Sequence, residues 1–165
     1  MGTAAEKRAL PSGPRGIPFG LSMATLERAI ETAAAAHAGQ QDRAGQPYIL
    51  HPLRVMLRVN SEHERMAAVL HDVIEDTSVT LAQLSDAGFP PAVLEAVDAL
   101  TKRPGETRIA AARRAACNPV ARVVKLADNA ENMDLGRIPR PTERDLARME
   151  EYREVRTLLL EAGNA

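Results

Sequence analysis

The sequence has a single cysteine, Cys117, among its 165 residues. One thiol cannot build an intramolecular disulfide framework or a cysteine-rich zinc site, and it suits a reducing compartment. We read Cys117 as a small helix residue without a reactive role. The sequence therefore predicts a cytoplasmic protein without disulfides.

Excess positive charge is also lacking. Lysine and arginine number 21 against 22 aspartates and glutamates, which gives a formal net charge of −1. No long basic block stands out, whereas nucleic-acid binding depends on many phosphate contacts. The sequence thus predicts no nucleic-acid partner, although a small anionic substrate needs only a few cations in one pocket. The pattern predicts no particular oligomeric state.

Long apolar runs are missing as well. None approaches the ~20 residues that span a bilayer, so no membrane association is predicted. The N-terminus holds proline, glycine and scattered charges in place of the apolar core of a signal peptide. Residues 1–21 are predicted to be a disordered tail or an extension added to a natural protein that starts at Met23. Residues 22–165 are predicted to form one domain, long enough to bury a core.

Local preference is helical throughout, and the predicted fold class is all-α. Alanine, leucine, glutamate and arginine dominate, and no segment alternates like a strand. Capping residues and prolines mark the predicted helix starts, which are Ser22, Leu50, Ser61, Thr80, Pro90, Thr107, Pro119 and Thr142. The third of these helices is predicted to carry residues 66–74, a range that includes the first residues of the motif described next. The last is predicted to be amphipathic, with an apolar side formed by Leu146, Met149, Val155, Leu158 and Leu159.

The strongest chemical signal is the run HDVIED at residues 71–76. On a helix, His71 and Asp72 diverge by about 100°, and both can converge on an ion between their faces. Imidazole with carboxylate suits Mn, Fe, Zn or Ni better than Ca or Mg. Glu75 and Asp76 follow one turn later, where a general base for a water, or a group that orients it, would be useful.

The alternative interpretation of this run is a solvated acidic helix end. The apolar residues around it favour a buried site, because buried charge needs a partner or a metal. Two other segments offer similar groups. His51 precedes Pro52 and is by itself compatible with a structural residue at a helix start. Asp128 follows an apolar run, with Asn132 one turn on, and by itself fits an internal hydrogen bond as well as a functional role.

Taken together, the order H…HD…D resembles the HD-superfamily phosphohydrolases, and among them the hydrolase domains of RelA/SpoT proteins and the small alarmone hydrolases. The resemblance covers about residues 26–160. Its matching blocks are residues 36–40, Arg43 and residues 45–52, 70–77, 100–103 and 124–128.

This resemblance implies an HD-domain helical bundle with a mononuclear site for Mn²⁺ or another divalent transition metal. The implied ligands are His51, His71, Asp72 and Asp128. Glu75 and Asp76 would activate or orient the attacking water. The implied substrate contacts are Arg43 along a purine base, Tyr48 in the same pocket wall, and Asn132 on the nucleotide. Lys125 would either add positive charge nearby or lie on the surface of its helix, and His37 would be structural.

The reaction implied is hydrolysis of guanosine 3′,5′-bispyrophosphate (ppGpp) at the 3′ position to GDP and pyrophosphate. Two departures from the family pattern bear on the substrate. Ala44 stands where relatives often carry a second base, and Asn129 and Ala130 replace a usual Arg-Leu pair. Glu131 would place an acid near polyphosphate unless it faces solvent.

These departures keep two alternatives open. One is an HD phosphohydrolase for another nucleotide, of the 5′-nucleotidase or NADPH phosphatase type. The other is a nucleotide-binding regulator without turnover, against which the complete set of ligand and acidic residues argues.

Overall fold

The computed structural model describes residues 23–137 and 140–163. Within these ranges there are nine α-helices and no β-strand, which confirms the all-α class. The helices are α1 Leu26–Ala36, α2 Leu50–Leu57, α3 Glu62–Leu70, α4 Val73–Asp76, α5 Leu81–Asp86, α6 Pro91–Leu100, α7 Arg108–Ala116, α8 Pro119–Asn132 and α9 Glu143–Glu161. Residues 1–22, including the predicted tail and Ser22, lie outside the described residues. No described helix has the length and apolarity needed to cross a membrane.

Helix starts follow local capping chemistry. At α3, the Ser61 hydroxyl accepts the Glu64 N–H at 3.2 Å while the Glu64 carboxylate accepts the Ser61 N–H at 3.0 Å, which is the predicted capping box. At α1 the prediction was wrong: the cap is Thr25, whose hydroxyl accepts the Arg28 N–H. Thr25 satisfies a free N–H of the first turn, and α1 therefore begins at Leu26.

The main core surrounds α3. This helix packs against α1, α2, α6 and α8, and its residues 66–70 are all buried. A smaller apolar cluster joins α7 to α9 through Ala112, Val155 and Leu159. The central helix thus fixes the positions of α2 and α8, which carry two of the predicted metal ligands.

The apolar side predicted for α9 was partly wrong. Leu146 is 54% exposed, while its neighbour Asp145 is buried. Adjacent helix positions diverge by about 100°. Because Asp145 occupies the inward stripe with Met149 and Leu159, Leu146 is turned to solvent.

The predicted unbroken helix through the HD motif was also wrong. α3 ends at Leu70, His71 and Asp72 form a turn, and α4 starts at Val73. In a continuous helix the Ala68 carbonyl would accept the N–H of Asp72. Here it accepts the Nδ1–H of His71 at 2.7 Å. The side chain thus competes for the helical acceptor at the point where the helix breaks.

Truncation of Leu84 tests the packing of the small helix α5 on α6. This side chain is 1% exposed and belongs to the main core. Leu84→Ala is expected to lower the free energy of unfolding by about 2–5 kcal/mol, because buried methyl groups are lost and a cavity remains. Urea unfolding followed by circular dichroism measures the change. An unaltered midpoint would contradict this packing.

Candidate metal centre and substrate cavity

Four side chains meet where α2, α8 and the α3–α4 turn come together. His51 Nε2 lies 3.2 Å from Asp128 Oδ1, and His71 Nε2 lies 3.0 Å from Asp72 Oδ2. The crossed pairs, His51 with Asp72 and His71 with Asp128, are 3.8 and 3.7 Å apart. Nitrogen and oxygen ligands about 2.0–2.2 Å from one ion are themselves roughly 3–3.5 Å apart. These separations suit four donors around a single cation.

The His71 ring is prepared for ligation. Its Nδ1–H donates to the Ala68 carbonyl, which can only accept, so Nε2 carries the lone pair in the neutral ring. Among the described residues this buried Nε2 has no hydrogen-bond partner, although it faces the carboxylates of Asp72 and Asp128. An unpartnered nitrogen among carboxylate oxygens fits a bound cation, with Ala68 orienting the ligand from behind.

The electrostatics of the donor set also favour a cation. Burial raises the pKa of Asp128, but the Lys125 ammonium and the neighbouring imidazoles of His51 and His71 outweigh it and hold this pKa well below its usual range. Burial likewise opposes ionisation of Asp72, yet the charge on His71 lowers the Asp72 pKa to about 2. Burial lowers the pKa of His71, but the two carboxylates raise it well above its ordinary value. The site therefore strongly favours positive charge between these groups.

Two predicted site residues hold Asp128 from its own helix. Lys125 Nζ donates to Oδ2 at 2.9 Å, and Asn132 Nδ2 donates to Oδ1 at 2.6 Å. The Lys125 side chain is only 21% exposed, so it is not a surface lysine. Both residues thus orient a donor oxygen while they line the adjoining cavity.

The acidic pair of the motif flanks the donors. Glu75 Oε2 accepts the backbone N–H of Lys102 at 3.0 Å and lines the cavity. The Tyr48 hydroxyl donates to Asp72 Oδ2 at 2.5 Å and lies 3.4 Å from Asp76 Oδ2. Burial and the charge of Asp72 raise the pKa of Tyr48, which keeps it a neutral donor. Burial and the charges of Asp72 and Glu75 raise the pKa of Asp76, which brings this carboxyl closer to the range of a base active near neutral pH.

A cavity of about 420 Å³ opens beside the donor set. Tyr48 and Tyr152 line it, together with Asn132. Five cationic side chains also line it, namely Arg43, Lys102, Arg108, Lys125 and Arg148, together with five carboxylates, of which Asp72 and Asp128 are predicted metal ligands. This combination of aromatic surface and positive charge suits a ligand with a ring system and several phosphate groups.

Arg43 reaches across the cavity to α9. Its guanidinium donates to the carboxylate of Asp145, whose side chain is 2% exposed. Hydrogen bonds from the Thr142 N–H and hydroxyl, with a further contribution from Arg43, lower the pKa of Asp145 to about 2. The ion pair therefore stays charged near neutral pH and fixes the orientation of Arg43.

Sequence reasoning missed the contribution of α7 and α9 to the cavity wall. Arg148 and Tyr152 line it from α9, and the Arg108 guanidinium lies 4.7 Å from the centre of the Tyr152 ring. The signal was the polar spacing of Asp145, Arg148 and Tyr152, which places three polar groups on one face of α9. The predicted apolar stripe obscured it.

Asn129 and Glu131, which follow Asp128 and depart from the family pattern, both make structural contacts. Asn129 Nδ2 donates to the Tyr152 carbonyl at 2.9 Å and ties α8 to α9. Glu131 neither faces solvent nor lies among the described residues that line the cavity: it is 1% exposed and paired with Arg54 and Arg58. The acid expected near the substrate is therefore neutralised elsewhere.

Residues 29–161 match the HD domain family. The chain belongs to that family. HD domains imply a divalent metal, and in this one the ligand atoms of His51, His71 and Asp128 lie within 4.8 Å of one another. The predicted HD-domain bundle is thereby confirmed.

Relatives of this HD domain include much longer proteins. A probable GTP pyrophosphokinase of Mycobacterium leprae is 36% identical over 125 residues, which are 68% of this chain and 16% of the relative. A guanosine-3′,5′-bis(diphosphate) 3′-pyrophosphohydrolase of Aquifex aeolicus is 38% identical over 81 residues, 47% of this chain and 12% of the relative. The chain thus spans only a small part of the length of these relatives.

A solved structure shares the fold. It is described by the words "A metazoan ortholog of SpoT hydrolyzes ppGpp and plays a role in starvation responses". The match has a TM-score of 0.66 at 23% identity and covers 90% of this chain and 88% of the other. At this identity the likeness concerns the arrangement of helices alone.

Proposed function

We propose that this HD domain hydrolyses ppGpp at its 3′ position and releases GDP and pyrophosphate. The proposed ligands of a divalent ion, which we take to be Mn²⁺, are His51, His71, Asp72 and Asp128. The observation that carries the proposal is the convergence of two imidazoles and two carboxylates beside a cavity lined by cations. The relatives named as 3′-pyrophosphohydrolases of the same compound support the choice of substrate.

The cavity offers separate places for the two ends of such a nucleotide. When bound, the cation would supply a Lewis acid beside the scissile phosphate. Lys125 lies next to Asp128 and adds positive charge for the phosphates. Arg43 lines the cavity and is paired with Asp145, and its planar guanidinium would lie along the purine.

The acidic pair would handle the proton of the attacking water. The water oxygen attacks the phosphorus attached to the ribose 3′ oxygen, and the bond from that phosphorus to the 3′ oxygen breaks. The water gives up one proton to a carboxylate, and the 3′ oxygen takes up one proton and leaves as the 3′ hydroxyl of GDP. Glu75 lines the cavity, while Asp76 lies beside the Tyr48 hydroxyl. We therefore assign Glu75 to the water directly and Asp76 to the orientation and charge of the site.

A soluble nucleotide substrate and the exposed free thiol of Cys117 both suit a reducing cytoplasm.

A substrate panel with Mn²⁺ tests the proposal. The kcat/KM for ppGpp is compared with the values for GDP, a nucleoside 5′-monophosphate and NADPH, with pyrophosphate distinguished from orthophosphate in the products. We expect ppGpp to be cleaved fastest, with pyrophosphate as product. Faster cleavage of another compound would replace ppGpp as substrate within the same HD phosphohydrolase chemistry. If the protein binds these nucleotides but hydrolyses none of them, it is the nucleotide-binding regulator of the alternative interpretation.

Replacement of Arg43 tests the proposed base contact. Arg43→Lys keeps the charge but loses the planar surface, so we expect KM for ppGpp to rise about 3- to 10-fold, with kcat and metal content unchanged. Asp145→Asn should act in the same direction, because it frees the guanidinium from its partner. Steady-state kinetics measures both effects. An unchanged KM in both variants would exclude Arg43 from substrate binding, and Arg153→Lys on the exposed side of α9 serves as the control.

A further inference from the structure

α2 and α8 are joined close to the donor set by a buried carboxylate and two partly exposed arginines. Glu131 of α8 is 1% exposed. Arg54 Nε donates to its Oε1 at 2.5 Å, and Arg58 donates from Nε and Nη2 to its Oε2 at 3.0 and 2.8 Å. Arg54 belongs to α2, and Arg58 caps its C-terminal end. These three residues are called the Glu131 clamp below.

The clamp lies one helical turn from the donors on the same two helices. Arg54 follows His51 by three positions, and Glu131 follows Asp128 by three positions. Three residues correspond to about 4.5 Å along a helix axis. The clamp and the 3.2 Å contact between His51 and Asp128 are therefore neighbouring links between α2 and α8. A slide or rotation of one helix against the other would alter both links together.

Stability alone is a weak reason for such a cluster. Desolvation of the buried Glu131 carboxylate offsets much of its attraction to the two arginines, whereas ion pairs with a buried partner can fix the register of packed elements. Metal affinity is sensitive to ligand placement, and loss of outer contacts typically weakens it about 10- to 100-fold.

We propose that Glu131 is a positioning residue: the Glu131 clamp fixes α2 on α8 and thereby sets the affinity of the metal site. This inference rests on the metal centre assigned above. It concerns the placement of His51 relative to Asp128. It also gives Glu131 a role that does not require contact with substrate.

The test measures Mn²⁺ affinity directly on the full chain, by the electron paramagnetic resonance signal of free and bound ion. Two variants are compared with wild type: Glu131→Gln, and the triple variant Arg54→Met, Arg58→Met, Glu131→Leu. We expect both to bind Mn²⁺ about 10- to 100-fold more weakly, with an altered spectrum of the bound ion. Urea midpoints of both clamp variants and of Leu84→Ala are measured as well, so that Mn²⁺ affinities are compared at known stability. Leu84→Ala is the control that lowers stability away from α2 and α8.

The outcomes separate the two levels of the inference. Unchanged Mn²⁺ affinity and spectrum in both clamp variants would overturn it, and so would an equal loss of affinity in Leu84→Ala, since that loss would follow from stability alone. Weaker binding in the clamp variants, with wild-type affinity in Leu84→Ala, supports it. If wild type itself binds no Mn²⁺, the assignment of the metal centre is refuted, and the clamp proposal is refuted with it.

Discussion

Asp128→Ala is expected to raise the Kd for Mn²⁺ by roughly 10²–10³-fold and to abolish detectable hydrolysis of ppGpp. Loss of an outer contact to a metal ligand typically weakens binding about 10- to 100-fold, and loss of the ligand itself should cost more. Asp128 is central to the donor set, because its Oδ1 lies 3.2 Å from His51 Nε2 and 3.7 Å from His71 Nε2. Metal analysis after equilibrium dialysis against Mn²⁺ gives the stoichiometry and affinity.

Two comparisons make this result specific. Asp128→Asn preserves the shape and the contacts to Lys125 and Asn132 better than alanine, and it should still bind Mn²⁺ poorly because the charge is gone. Asp98→Ala removes an exposed acid of α6 that pairs with Arg103, and it should bind like wild type. One Mn²⁺ per chain with wild-type affinity in Asp128→Ala would refute the ligand assignment.

Glu75→Gln is expected to lower kcat for ppGpp by about 10²-fold or more, with metal content and folding retained. The amide keeps the size of the side chain and can still accept the Lys102 N–H, so only the basic oxygen is lost. Asp76→Asn should also reduce kcat, because the carboxylate near the Tyr48 hydroxyl and Asp72 is neutralised. Single-turnover kinetics at saturating ppGpp separates this effect from product release.

The exposed acids Glu62 and Asp86 provide matched controls for these two variants. Glu62→Gln and Asp86→Asn make the same chemical changes on α3 and α5, away from the cavity, and should leave kcat unchanged. Full activity in both Glu75→Gln and Asp76→Asn would mean that the acidic pair is the solvated helix end of the alternative interpretation.

Much of the helical framework could be predicted because its signals are local. The Ser61–Glu64 capping box, and the threonine caps at α5 and α9, are contacts within one helical turn. The donor set was predicted from chemistry and order, and the structure places each imidazole of His51 and His71 within 3.8 Å of the carboxylates of Asp72 and Asp128. Their role as ligands stays a prediction until metal binding is measured.

Other features depend on contacts that sequence patterns do not encode. The break after Leu70 follows from the bond between His71 and the Ala68 carbonyl, which helix propensity cannot anticipate. Leu146 turns outward because a distant loop residue, Arg43, pairs with Asp145. The partners of Glu131 lie on α2 and at its C-terminal end, more than 70 positions earlier, so its burial could not be read from α8 alone.

The closeness of two carboxylates in the proposed metal site would also make the stability of this protein depend on its supply of metal. Asp72 and Asp128 repel each other inside the fold, and they come from segments that meet only when α2, α3 and α8 are assembled. The unfolded chain cannot hold an ion in this way. An ion that binds only the folded chain stabilises it by about 2.7 kcal/mol when the free concentration is 100 times Kd. Starvation for that metal would therefore shift the chain toward unfolding and proteolysis, so that its abundance, and not only its activity, follows the metal content of the cell.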